Sequence, residues 1–146
     1  MRIWRGFVEV SGRLSALFTD SLKKHGGLTM DDYEVLVHLS EADDHRLRMT
    51  ELSRRLLHSQ SRLTQRVDRL VKKELVAREK CVDDGRGTFA VLTPEGFEVI
   101  TALAPLHLQD VRRLLIDLIE PSERAVVADV FERTAAVARA AAAEAR

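Results

Sequence analysis

At 146 residues, with 45% hydrophobic and 32% charged side chains, the chain has the length of one ordinary domain and enough apolar mass to bury a core. Its 23 basic and 23 acidic residues cancel, but unevenly: residues 46–87 hold twelve Lys/Arg against six Asp/Glu, whereas residues 1–45 (five against eight) and 88–146 (six against nine) are each acidic. One cysteine, Cys81, excludes an internal disulfide framework. The start MRIWRGFVEV is broken by Arg5 and Glu9, and no stretch nears the roughly 20 apolar residues of a membrane span, so a cytoplasmic protein is expected.

The first predicted helix covers residues 2–24, where Ile3, Phe7, Val10, Leu14, Leu17 or Phe18, and Leu22 form one apolar stripe, and Gly26-Gly27 ends it. Thr29 with Asp32 three residues on has the form of a capping box with Asp in place of Glu. It opens a helix over 30–41 with Tyr33, Leu36, Val37 and Leu39 apolar. Asp43-Asp44-His45 reads as a polar connection. Helices near 49–57 and 60–73 follow, separated by His58-Ser59, which leaves room only for a sharp turn. Leu52 and Leu56 give the first its inner face; Leu63, Val67, Leu70 and Val71 give the second its own, and Ser59 is placed to cap it.

Two short strands near 77–82 and 88–92 come next, joined through Gly85 and Gly87, which permit a tight hairpin. Thr93-Pro94-Glu95 is a strong helix start: a cap, a proline in the first turn, and an acid at the positive dipole end. This helix is expected to run to about 118, with Phe97, Ile100, Leu103, Leu108, Val111, Leu115 and Leu118 apolar. Pro105 inside it predicts a bend or break. Pro121-Ser122-Glu123 opens a last, alanine-rich helix. The expected fold is therefore mostly α with a small β-wing. Helix, turn, helix and hairpin in this order make a winged helix-turn-helix, which places one helix in the DNA major groove and a loop beside it.

The chemistry agrees with that reading. Arg62, Arg66, Arg69 and Lys73 recur at spacings of four, three and four, on a face offset from the apolar one. On an isolated helix such a stripe is most often a solvated surface. Here the helix also follows a sharp turn, begins Ser59-Gln60-Ser61, and precedes a glycine–arginine hairpin. Hydroxyl and amide side chains at its start suit phosphates and base edges, and Arg can bind guanine through two hydrogen bonds. Expected DNA contacts are Ser59, Gln60, Ser61, Arg62, Thr64, Gln65, Arg66 and Arg69. Arg62, Thr64, Gln65 and Arg69 are assigned to the major groove, and Ser61 and Arg66 to phosphates or neighbouring bases. Arg86, between two glycines at the hairpin tip, is assigned to the minor groove.

His38 and His107 sit in no metal-ligand spacing, so no metal is expected. Only Lys80 beside Cys81 favours its thiolate, and a structural thiol is the simpler account. No nucleophile–base pattern and no glycine-rich phosphate loop supports catalysis, and no cofactor is implied.

Over nearly its whole length the chain resembles the MarR family of bacterial transcriptional regulators. The resemblance rests on Leu52, Ser59, Ser61, Thr64, Val67, Asp68, Arg69, Leu70, Leu75, Val76 and Arg78, then Asp83-Asp84-Gly85-Arg86-Gly87, Val91-Leu92-Thr93 and Gly96. It implies a single domain over 1–146, with 30–93 as the winged DNA-binding part and 1–28 and 94–146 as helical dimerisation parts. It implies a homodimer on a pseudo-palindromic double-stranded DNA operator, more often repressing than activating, with 60–73 as the recognition helix and Arg86 as the wing-tip arginine. An aromatic or lipophilic effector is expected near Trp4, Phe18, His38 and His107. A winged-helix protein-interaction module without DNA affinity is the alternative. Two departures stand out. Glu74 replaces the glycine that commonly ends the recognition helix, so a different helix end is expected; and the first helix lacks the cysteine of the family's peroxide sensors.

Overall fold

A computed structural model of the chain describes residues 1–56, 59–81 and 87–144. The elements in chain order are α1 (Arg2–Gly26), α2 (Met30–Ser40), β1 (Arg46–Arg48), α3 (Met49–Arg55), α4 (Gln60–Lys72), β2 (Val76–Lys80), β3 (Thr88–Leu92), α5 (Pro94–Leu114) and α6 (Arg124–Glu144). They fall into two compact units, Met1–Asp110 and Val111–Arg146. Among the described residues no helix is long and apolar enough to cross a membrane.

The caps form as local chemistry dictates. Gly27 takes the left-handed conformation (φ 64°) that closes α1. The Thr29 hydroxyl accepts from the Asp32 N–H and the Asp32 carboxylate accepts from the Thr29 N–H, completing the capping box of α2. The Ser59 hydroxyl accepts from the Arg62 N–H at the start of α4.

The core of the first unit joins Leu36 and Leu39 of α2, Leu52 of α3, Leu63, Val67 and Leu70 of α4, Val76 and Ala90 of the sheet, and Ile100 and Leu103 of α5. Val71, expected on the inner face of α4, is 37% exposed instead.

The three strands lie in the order β1-β3-β2, all antiparallel neighbours. β1 is an element that the sequence pattern does not reveal. It pairs Leu47 with Ala90 and Arg48 with Phe89, and it buries only Leu47 between two exposed arginines. Residues 43–45, expected as a plain connection, form a 3-10 turn with Asp44 and His45 at positive φ. Of the bend or break expected at Pro105, a break does not occur: α5 runs through it but ends at Leu114, short of the expected 118, and residues 116–118 form a separate 3-10 turn.

The end of α4 corrects the expectation drawn from Glu74. This residue takes the left-handed conformation after all, at φ 62°. Its N–H donates to the Val71 carbonyl (2.9 Å), and the Leu75 N–H reaches back to the Leu70 carbonyl (3.0 Å). Those two bonds form a complete Schellman closure, and the Thr93 hydroxyl adds a bond to the Glu74 carbonyl at 2.7 Å. The tertiary junction thus holds a side-chain-bearing residue where glycine costs less. Glu74→Gly is expected to stabilise the fold by about 1 kcal/mol, because the left-handed penalty of an L-residue exceeds glycine's extra backbone entropy in the unfolded chain. A urea titration checks this; an unchanged or lower midpoint would mean that Glu74 is not strained.

Candidate nucleic-acid interface

The start of α4 lies at the surface. Ser59, Gln60, Ser61, Arg62 and Gln65 are exposed and Thr64 is half-buried. Arg62 makes no side-chain hydrogen bond or ion pair among the described residues, so its guanidinium is available to a partner.

The rest of the basic stripe is tied to the protein. Arg66 is the clearest correction: expected on the DNA-facing surface, its side chain is only 14% exposed and is paired with Asp31 at the start of α2. Burial, with the charge of Arg69, lowers its affinity for its proton, although a guanidinium stays charged throughout the physiological range. Arg69 is half-exposed and donates to Asp32 at 3.1 Å. Lys73 donates to the Gly27 carbonyl at 2.6 Å. The sequence carries no signal for these pairings, because their partners lie about 35 to 46 residues away along the chain.

Beside α4 the structure forms a cleft of about 410 Å³ lined by Arg48, Thr50, Thr64, Arg78 and Thr88. Arg78 is held there by Asp68 (3.0 Å) and the Thr64 carbonyl (3.2 Å). Arg46 and Arg48 both lie over the ring of Phe89, at 4.7 and 5.5 Å from its centroid. Sequence reasoning missed Arg46 and Arg48 as parts of this surface because β1 had not been recognised, and Arg78, on the expected strand β2, because its place is set by its contacts with α4. Arg86 and the neighbouring Asp83, Asp84 and Gly85 lie outside the described residues. Cys81 follows β2, where it is buried, and its N–H donates to the Gly87 carbonyl at 2.8 Å.

A second cavity, of about 500 Å³, lies among Met30, Tyr33, Val37, His38, Arg55 and His107. It brings His38 and His107 together. Phe18 meets the edge of the His107 ring at 5.1 Å, and Tyr33 lies 4.9 Å away. Trp4 does not join them: it is 61% exposed and stacks on Phe7 at 6.0 Å. Glu51 holds Arg55 at 2.8 Å, and this hydrogen bond, with the charges of Arg54 and Arg55, keeps the Glu51 carboxyl below the usual carboxylate range.

Burial depresses the His107 pKa, and the nearby Asp110 only partly opposes it. The folded state therefore resists binding a proton that the unfolded chain accepts below about pH 6.5. This contribution to stability is full above that pH and is lost as pH falls toward the lowered folded value. His107→Phe should accordingly flatten the fall in melting temperature between about pH 7.5 and about pH 5.5. An identical slope in the variant would show that His107 does not titrate with folding.

A MarR family model matches residues 26–87. AbsC, a regulator from Streptomyces coelicolor, is 39% identical; the likeness covers 94% of this chain and 93% of that one, with a TM-score of 0.90. The chain belongs to the MarR family. It is a winged helix-turn-helix transcriptional regulator. Another MarR-family regulator from the same organism, Sco3205, is 36% identical over 91% of this chain and 83% of its own, with a TM-score of 0.88, and its structure is in complex with DNA. The HTH-type transcriptional repressor YetL of Bacillus subtilis is 28% identical over 110 residues, which span 73% of this chain and 66% of the length of YetL.

Proposed function

We propose that this MarR-family regulator represses transcription by binding a pseudo-palindromic DNA operator as a homodimer in the cytoplasm, and that a small aromatic or lipophilic acid releases it. The observation that carries the DNA reading is Arg62, exposed and without a side-chain partner among the described residues, in a row of exposed polar residues at the start of α4, beside a cleft lined by Arg48 and Arg78. Such a surface supplies both base-edge donors and cations for phosphates. A MarR-family relative of 36% identity is known in complex with DNA, which favours this reading over a protein-interaction module. In this reading Arg86 extends the contact into the minor groove. Arg86→Ala should weaken operator and non-operator DNA together and make the salt dependence shallower by about one unit per protomer.

Dimerisation is supported by the apolar side chains left uncovered on α1 and α6. On α1, Ile3, Phe7 and Val10 are 48–88% exposed; on α6, Val126, Phe131 and Val137 are 51–70% exposed. Exposed apolar faces of this kind mark association surfaces. The effector reading draws on the cavity beside α2, where Arg55 and two histidines could meet a carboxylate and Tyr33 and Val37 an apolar body.

Anisotropy titrations of labelled DNA from the regulator's own upstream region, with light scattering on the same sample, test the core of the proposal. The expected result is a dimer at micromolar concentration that discriminates this DNA from a scrambled duplex. A monomer, or equal affinity for both duplexes, would overturn it. Aromatic carboxylates added to the complex should release DNA, and the DNA should weaken their binding to the same degree.

A further inference from the structure

The acidic start of α2 lies against the recognition helix. Asp31 and Asp32 are successive residues, and each takes one arginine of α4: Asp31 pairs with Arg66 and Asp32 with Arg69. The two pairs differ in kind. Asp32 is almost wholly buried and serves twice, accepting from the Thr29 N–H with one oxygen and from Arg69 with the other. It belongs to the framework. Asp31 is half-exposed, with no part in the capping box, yet it holds the more deeply covered arginine.

Arg66 is not comfortable in this position. One terminal nitrogen of its guanidinium is buried without a hydrogen-bond partner among the described residues. A buried N–H without an acceptor is unfavourable, so the ion pair with Asp31 is what opposes a swing toward solvent. Arg66 is one turn along α4 from the exposed Arg62, and a released side chain would add a mobile cation to the surface that meets DNA.

We infer that Asp31 is a specificity-determining residue that withholds Arg66 from DNA, limiting the sequence-blind share of binding and leaving Arg62 and Arg69 as the arginines of α4 that meet the operator. The inference rests on the reading of α4 as the recognition helix. A cation that contacts phosphates strengthens all sequences alike and steepens the salt dependence, whereas a base contact strengthens only the operator. The short carboxylate at Asp31 therefore keeps the sequence-blind contribution low without altering any base-reading group. Asp32 orients Arg69 and is a positioning residue in the same sense.

Asp31→Asn is the test, because it removes the charge without disturbing the cap. Binding of operator and scrambled duplex is measured between roughly 50 and 200 mM salt. The expected result is tighter binding of both duplexes, with the slope of log affinity against log salt steeper by about 0.9 per protomer. Over that fourfold range of salt, affinity should then fall about 3.5-fold further per protomer than in the parent. Asp31→Asn with Arg66→Gln should return the slope to that of the parent. Glu41→Gln, the same charge change at the far end of α2, should leave it unaltered.

An unchanged slope in Asp31→Asn would overturn the inference, as would a slope that stays steep in the double variant or one that Glu41→Gln also steepens. Arg62→Ala separates this from failure of the recognition-helix reading. If Arg62→Ala weakens operator binding while Asp31→Asn does nothing, only the masking of Arg66 is wrong. If neither has any effect, α4 does not meet DNA.

Discussion

Gly96→Ala is expected to destabilise the fold by about 3 kcal/mol, at the upper end of what overpacking usually costs. Alanine is the better helix former by about 1 kcal/mol, so propensity alone predicts the opposite sign. Packing decides. Gly96 is the third residue of α5, where its N–H donates to the Thr93 hydroxyl at 3.0 Å. Thr93 in turn binds the backbone just after α4, its N–H donating to the Leu75 carbonyl at 3.2 Å and its hydroxyl to the Glu74 carbonyl at 2.7 Å. A methyl group on Gly96 would run into the Leu75 carbonyl oxygen and the Leu92 side chain. The first of these is backbone, held by the Thr93 N–H just after the Schellman closure of α4, and cannot rotate away as the tip of a long side chain could. Urea denaturation of the two proteins measures the difference. A loss below about 1 kcal/mol would mean that the junction yields, and that α5 is not pinned to the end of the recognition helix.

Arg62→Ala should cost about 2–6 kcal/mol in operator affinity if each protomer of a dimer loses one base-reading contact of about 1–3 kcal/mol. The preference at one position per half-site should relax at the same time. Because Arg62 is exposed and has no side-chain partner among the described residues, its removal should leave stability nearly unaltered, unlike Asp32, whose loss would remove a cap as well as an ion pair. Binding to a set of operators changed one base pair at a time, with a thermal melt of the same samples, checks both halves. Full affinity with an intact preference would transfer sequence reading to Gln60, Thr64 or Gln65.

The winged helix-turn-helix was legible because its signals are local. Ser59 before α4, the Thr29–Asp32 pair at the start of α2 and Thr93 before α5 satisfy free N–H groups of a helix start within one turn of chain, so residue order nearly suffices to place them. The apolar faces were legible for a similar reason, since a period of three to four residues survives any particular packing. β1 failed that test. An Arg-Leu-Arg run offers a single inward residue, and it became a strand only because β3 has an open edge beside it.

The site divides along the same line. That residues 46–87 are basic, and that α4 begins with small polar residues and an arginine, follows from the order of residues alone. Which arginines remain available does not. Arg62, Arg66 and Arg69 are equivalent in the helical pattern, yet one is exposed, one is covered and one is shared with a buried carboxylate. That difference arises where α2 crosses α4, from ion pairs between residues distant in the chain. The same holds for Glu74, whose composition argued for another helix end, while hydrogen bonds from Leu75 and Thr93 fixed the left-handed one. Sequence determined where a cation or a cap could stand; the free energy of long-range pairing decided which of them stayed available to a partner.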